Sequence, residues 1–354
     1  MGIGVNVSYC GWDSGYDTCK LITNQMKDSN QKPLTFPSLA KERTTSLIDK
    51  KELGLGQSFS KEKMLIEVQD KNDEWYDFMV GDYIVNQLES GGSNYEVNKY
   101  QSEEELAKLL AGLSTLYPNA NRIYIDKLVT GLPIQHHRNH KKGMKERFEG
   151  KFKSKITARN GKEVTVRYTI NDIVVVPQAA GALLYYLNQD NNADIMRDKI
   201  AIIDVGGRTT DGLAYNCGEI INESPFSSDI GMSNVFRAVS NNLNIDENLI
   251  RSAVVNQQDT ITYNQEEKSI RDIVNKCYQE LAREIFKATR NEWRDFISLI
   301  NQILIVGGGA KLLAPFLKKE FGRIGIQAIP NPQLANVLGY LLRAETIYNK
   351  EQKE

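Results

Sequence analysis

The 354-residue chain has little of what usually announces a partner or a compartment. Neither charge dominates: 44 Lys and Arg stand against 45 Asp and Glu. No global field draws nucleic acid or an anionic membrane, so any such partner is met locally or through another protein. Cysteine is scarce, with Cys10, Cys19, Cys217 and Cys277 forming no C-x-x-C pair, which favours a reducing compartment and free thiols. Long apolar runs are missing too. The most apolar window, Ile173 to Leu187, is interrupted by Pro177 and Gln178 and is too short to span a bilayer. The opening residues MGIGVNVSYCGW lack a basic leader, and Asn6 stands where a myristoylation signal needs Ser or Thr. The expectation is a cytoplasmic protein without a membrane partner.

What is present is an ordinary globular composition, 41% hydrophobic and 25% charged, on a chain long enough for two domains. The most informative stretch is IAIIDVGGRTTD. Ile200 to Ile203 form a continuous apolar run that suits a strand covered on both faces. Asp204 ends it, Gly206 and Gly207 allow a tight reversal with positive φ, and Thr209 and Thr210 offer hydroxyls and amides. Such a turn holds a phosphate; a Gly-Gly hairpin turn would look the same. Asp211 is either a further carboxylate near a metal or a strand-start residue.

A second acidic turn lies near the start of the chain. Ile3, Val5 and Val7 alternate as in a half-buried strand, which runs into Asp13-Ser14-Gly15-Tyr16-Asp17-Thr18-Cys19-Lys20. A carboxylate there can hold a hydrated magnesium, Gly15 lets amides face phosphate oxygens, and Lys20 can neutralise a phosphate. A surface hairpin is the plain alternative. At Ile173 to Val176 a short apolar strand passes through Pro177 into a helix rich in small residues, leaving Gln178 at the junction. A side chain there can orient an attacking water or be satisfied by solvent. Ile303 to Val306 is another buried strand, and Gly307, Gly308 and Gly309 after it let a flat ring or a phosphate approach the backbone.

Other segments suggest packing rather than chemistry. Residues 25–92, with charged runs at Lys41 to Arg43 and Lys50 to Glu52 and glycines at Gly54 and Gly56, contain two strand-like pieces, Met64 to Val68 and Trp75 to Val80. Ser102 and Glu105 fit a capping box ahead of a helix carrying Leu106, Leu109, Leu110 and Leu113 on one face. From His136 to Lys155, eight Lys or Arg face only Glu146 and Glu149, with little aromatic interleaving; a solvated helix face explains this better than nucleic-acid binding. His136 and His140 lie one helical turn apart and could hold a metal, but no nearby Cys or second acidic ligand completes a site. A long helical region is expected from Glu266 to Ile300, and a last helix from Leu334 to Tyr348.

Taken in order, Asp-x-Gly with a trailing Lys, strand-Pro-Gln-helix, strand-Asp-x-Gly-Gly-x-Thr and strand-Gly-Gly-Gly-helix together resemble the actin-like ATPase superfamily. The resemblance is nearest to the plasmid-segregating bacterial actins of the ParM type. Gly131-Leu132-Pro133, Asp229 to Ser233, and Asn331-Pro332-Gln333 with Gly339 extend it over nearly the whole chain.

The resemblance implies an α/β, actin-like fold: two related RNase H-like domains with mixed five-stranded sheets, each carrying an inserted subdomain. On this chain that places domain I at residues 1–182, with an insertion at about 30–95 and the helix 334–354 packing back on it; domain II is 183–333, with an insertion at about 231–290. The implied cofactors are ATP or ADP and Mg2+. Asp13 and Asp204 would hold the metal mostly through water. Ser14, Gly15, Tyr16, Lys20, Gly206, Gly207, Arg208 and Thr209 would meet the phosphates, Gly307, Gly308 and Gly309 the adenosine, and Gln178 would orient the water. Plasmid-segregating relatives often have Glu where Gln178 stands, whereas Gln is the choice of eukaryotic actin; an amide orients water but cannot take its proton. Arg208 and Tyr16 are bulky where relatives tend to have small residues.

The implied function is an ATPase that assembles into filaments with ATP and disassembles on hydrolysis. It would segregate plasmid DNA through a ParR-like centromere-binding adaptor, touching that DNA only indirectly. A small-molecule kinase of the same superfamily is the alternative, although such kinases need an aspartate base where Gln178 stands. A nucleotide-binding cytoskeletal scaffold with another role is a third reading.

Overall fold

The computed structural model describes residues 3–43, 58–86, 100, 102–158, 161–189, 199–217 and 219–354. The charged run Lys50 to Glu52 and the glycines Gly54 and Gly56 lie outside the described residues, as does part of the segment expected to form the first insertion. The chain divides into two units, Met1–Pro177 with Asn336–Glu354, and Gln178–Ala335.

The first unit opens with β1 (Ile3–Ser14), β2 (Thr18–Thr23), the short helix α1 (Asn24–Asp28), β3 (Leu34–Pro37) and β4 (Ala40–Glu42). There follow β5 (Met64–Gln69), β6 (Trp75–Val80), α2 (Asp82–Asn86) and α3 (Glu103–Leu116). Then come β7 (Ala120–Leu132), α4 (Ile134–Phe148), β8 (Gly150–Thr157) and β9 (Glu163–Pro177). All the strands join one sheet in the order β3-β2-β1-β7-β9-β8-β5-β6-β4. The first five form the expected central sheet, with β1, β7 and β9 parallel. The sheet then continues through β8, because β5 pairs with it at Val68↔Ser154. The strands Met64 to Val68 and Trp75 to Val80 therefore extend the main sheet rather than build one of their own. Leu106, Leu109, Leu110 and Leu113 of α3 pack on one face against Val7, Leu21, Ile66 and Ile125.

The second unit begins with α5 (Ala180–Leu187), β10 (Lys199–Val205), β11 (Thr210–Asn216), β12 (Glu219–Ile220), β13 (Phe226–Ser228), α6 (Met232–Leu243) and α7 (Glu247–Val255). It continues with β14 (Thr260–Tyr263), β15 (Glu266–Ser269), α8 (Arg271–Glu292), β16 (Gln302–Val306), α9 (Ala310–Phe321) and β17 (Gly325–Ala328). Its main sheet runs β12-β11-β10-β16-β17, with β13 also on β11. The apolar run Ile200 to Ile203 is fully interior on β10, antiparallel to β11 and parallel to β16. The helix expected from Glu266 begins only at Arg271. Residues 266–269 instead pair with Thr260–Tyr263, since Asn264 and Gln265 both take positive φ, 52° and 65°, and make the turn a two-residue hairpin wants.

The last helix, α10 (Ala335–Glu351), packs on the first unit. It approaches the sheet where two glycines leave room. A Cβ on Gly11 would lie 2.6 Å from Val337 O and 2.9 Å from Leu341 N, and one on Gly131 would overlap the Tyr340 hydroxyl. Among the described residues no helix is long and apolar enough to cross a membrane.

Candidate functional site

Each unit carries one acidic hairpin, and the two share a register. In the first, Asp13 pairs with Lys20 and Ser14 with Cys19; in the second, Asp204 pairs with Asp211 and Val205 with Thr210. Each aspartate lies near the carboxyl end of a strand that also has a parallel neighbour, β7 for β1 and β16 for β10. Carboxyl ends of parallel strands are where α/β sheets bind ligands. The glycine two residues on is closed against the threonine five residues on in both turns. A Cβ on Gly15 would lie 2.9 Å from Thr18 O, and one on Gly206 would lie 3.1 Å from Thr209 O. The repeated unit is thus Asp-x-Gly-x-x-Thr, and it adds Thr18, which the trailing-Lys pattern had passed over.

In the first hairpin Asp13 and Lys20 are both buried and joined Nζ to Oδ2 at 2.7 Å. Ser14 donates its hydroxyl to Glu105 of α3. Glu105 in turn pairs with Lys108 one turn on, and Lys108 Nζ reaches Ser38 Oγ at 3.2 Å. All four of these side chains are buried. Burial alone would depress the Lys108 ammonium, but its surroundings, the adjacent Glu105 carboxylate foremost, together outweigh that and hold the pKa above the usual lysine value. This corrects the expected capping box: Ser102 occupies the N-cap of α3 without a side-chain cap bond. Glu105 turns instead toward a charged partner and a hydroxyl in the core. Tyr16 is buried beside Tyr100, hydroxyl to hydroxyl at 3.3 Å.

In the second hairpin neither Gly206 nor Gly207 has positive φ, contrary to expectation. The turn is held by hydrogen bonds. Gly206 N donates to Thr209 O at 2.9 Å, Met232 N to Gly206 O at 3.1 Å, and Ser233 N to Gly207 O at 2.7 Å. The first amides of α6, which have no partner inside the helix, are thereby satisfied. The approach depends on Gly231, whose Cβ would sit 2.6 Å from Gly207 O. Thr209 Oγ1 donates to Asp211 Oδ2 at 3.1 Å, and Arg208 pairs with Asp229 at 3.5 Å. Asp204 and Asp211 are buried side by side on paired strands.

The three glycines after β16 do different jobs. Gly307 takes φ of 89° and donates its amide to Pro332 O at 2.9 Å; a Cβ there would overlap Asp204 Oδ1. Gly309 is pressed against Val205 and Met232, at 2.9 and 3.0 Å from where a Cβ would be. Gly308 is exposed with nothing within 4 Å of its Cβ position, so the fold itself makes no demand for glycine there.

Gln178 follows the last residue of β9 and is half-buried. Ala179 after it takes φ of 67°, a conformation that costs a residue with a Cβ about 1–3 kcal/mol. His136 is buried beside Tyr100 and His140, and His137 meets Val175 O at 3.0 Å. Among the described residues no three His, Cys, Asp or Glu side chains group as metal ligands.

A family model for the N-terminal domain of actin-like proteins matches residues 11–181, and one for the C-terminal domain of archaeal MreB-like actin homologues matches residues 202–319. The chain belongs to the actin-like superfamily. An archaeal actin homologue of Thermoplasma volcanium is 27% identical to this actin-like chain over 201 residues, 55% of the chain and 61% of that relative. Alignment thus spans less than two-thirds of the curated relative. Among solved structures, a 15-stranded ParM filament from Clostridium botulinum matches with a TM-score of 0.75 at 23% identity, covering 97% of this actin-like chain and 100% of that one. An archaeal actin homologue in complex with ADP matches with a TM-score of 0.70 at 22% identity, over 96% and 99% of the two chains. The fold is the actin-like α/β fold.

Proposed function

We propose that the chain is an ATP-dependent, filament-forming actin homologue that segregates plasmid DNA through a ParR-like adaptor. ATP binding would favour assembly and hydrolysis disassembly. The observation that carries the nucleotide reading is the repeated Asp-x-Gly-x-x-Thr hairpin, alike in register on both units. The filament reading rests on likeness to a ParM protein solved as a filament.

The donor set fits a nucleotide with its metal. When bound, ATP with Mg2+ supplies the phosphoanhydride to be cleaved and a counter-charge for its phosphates. Asp13 and Asp204 would hold the ion through its waters, since Mg2+ gives up its hydration shell reluctantly. Lys20 would neutralise phosphate oxygens, with Ser14, Gly15, Tyr16 and Thr18 around it. Gly206, Gly207, Arg208 and Thr209 would form the second phosphate turn. Gln178 would orient the attacking water without accepting its proton, which makes turnover slow.

The open position at Gly308 gives a direct test. Gly308→Val is expected to keep its melting temperature while ATP and ADP binding, followed by a fluorescent analogue, is lost. Binding equal to wild type would remove the glycine run from the site. Sedimentation with ATP, with ADP and without nucleotide tests the whole reading: pelleting that requires ATP supports it. A soluble monomer that phosphorylates a small hydroxylated metabolite would identify a kinase instead. For Asp204→Ala, phosphate release should fall by about 100-fold or more with the circular dichroism spectrum kept; release at the wild-type rate would sink the role given to Asp204.

A further inference from the structure

The outer face of the nine-stranded sheet, turned away from α3, carries a row of side chains with no part in the hairpins. Register pairing runs from Arg122 on β7 to Arg167 on β9, on to Lys153 on β8, Gln69 on β5 and Trp75 on β6. Paired residues on adjacent strands share a face, so the row crosses five strands, roughly 19 Å at about 4.8 Å per strand. The residues flanking it along each strand, such as Ile123, Val166, Tyr168 and Val68, point into the core. Arg122, Arg167 and Lys153 are exposed. The next row holds Tyr124, Thr169 and exposed Lys151. Trp75 and Tyr124 each leave 39% of their surface in solvent, and Lys155 lies over the Trp75 ring at 4.3 Å.

Like charges directly opposite one another across a sheet repel. The neighbouring row avoids this: Lys155 has Glu67 at 3.1 Å, and Arg43 has Asp77 at 2.6 Å. Arg122, Arg167, Lys153 and Lys151 have no acidic partner among the described residues. Their strands lie closer together than the Debye length of about 8 Å at physiological salt, so their fields add. A polymer with closely spaced negative charges relieves that repulsion. An acidic protein segment would leave the two exposed rings unused, whereas unstacked bases lie flat on such rings.

We propose that this face binds single-stranded nucleic acid, with phosphates along Arg122, Arg167, Lys153 and Lys151 and bases on Trp75 and Tyr124. The surface is distinct from the acidic hairpins and does not depend on the nucleotide reading. It was hidden in the sequence because its members come from separate segments. The basic run from His136 to Lys155 contains only the two lysines of β8 that belong to it, and both rings lie elsewhere.

Fluorescence anisotropy on the full chain without ATP tests it. The probes are labelled oligothymidylate of about 20 nucleotides, an RNA of the same length, a matching duplex, and polyglutamate. Single strands should bind best. Four neutralised phosphates predict that the dissociation constant rises roughly 50-fold between about 50 and 200 mM salt. Combined Arg122→Glu and Arg167→Glu should weaken binding at least tenfold and about halve that salt dependence. Trp75→Ala should weaken it about fivefold or more with the salt dependence kept. Preference between DNA and RNA separates the two sources of the same chemistry, and either supports the proposal. Binding of polyglutamate alone, a duplex bound as tightly as a single strand with Trp75→Ala silent, unchanged affinity in the charge-reversed variant, or no binding at all would each overturn it.

Discussion

Lys108→Met is expected to destabilise the first unit by about 3–5 kcal/mol, the cost of leaving a buried carboxylate without its counter-charge. Glu105 is fully buried, its ammonium partner lies one turn along α3, and Ser14 and Ser38 complete the cluster. Urea denaturation followed by circular dichroism reads the loss. The mechanism makes a second demand. Glu105→Leu combined with Lys108→Met removes both charges, so much of the stability should return, because replacing a buried pair with apolar groups is often neutral. A double variant weaker than Lys108→Met alone would show that packing, not charge, governs the cluster. Since Ser14 loses Glu105 as one of its partners in the double variant, a difference in nucleotide affinity at restored stability would report how far this cluster holds the first hairpin.

Gly131→Ala is expected to release α10. Its Cβ would overlap the Tyr340 hydroxyl and lie 2.5 Å from the ring carbon bearing it. Tyr340 is completely buried, so it cannot swing aside. Overpacking of a filled core costs about 1–3 kcal/mol and occasionally more. Limited proteolysis should cut first near α10, and hydrogen exchange should rise there before it rises in the β1–β7 sheet. Gly131→Ala with Tyr340→Leu removes the overlapping atoms and should recover part of the protection. Unchanged exchange in the single variant would mean that the helix tolerates a shift along the sheet.

These two clusters mark where sequence patterns stopped being informative. The apolar run before Asp204 and the strands before Gly15 and Gly307 were legible because a buried strand and its turn are local. Glu105 departs from the capping-box expectation because Ser102-x-x-Glu105 satisfies a local rule, while the side chain is claimed by Ser14, distant in the chain. Thr18 and Thr209 hold the same place in the spacing Asp-x-Gly-x-x-Thr, but a pattern this short carries little weight until the shared register of the two hairpins makes them equivalent. Gly231 lies in a segment whose sequence resembles the family's, but the need for glycine there is steric and lies in the carbonyl of Gly207. The helix expected from Glu266 failed for a local reason: the pair Asn264-Gln265 accepts positive φ and folds the preceding β-branched run back on itself.

The docking of α10 also sets an order of events during synthesis. The second unit is one uninterrupted stretch, Gln178–Ala335, and contains every strand of its own sheets. The first is completed only by Asn336–Glu354, which the ribosome delivers after the whole of the second. Domains tend to fold as they emerge, so the nascent sheet around Gly11 and Gly131 waits with an uncovered patch while its neighbour matures. The unit begun first is the one finished last.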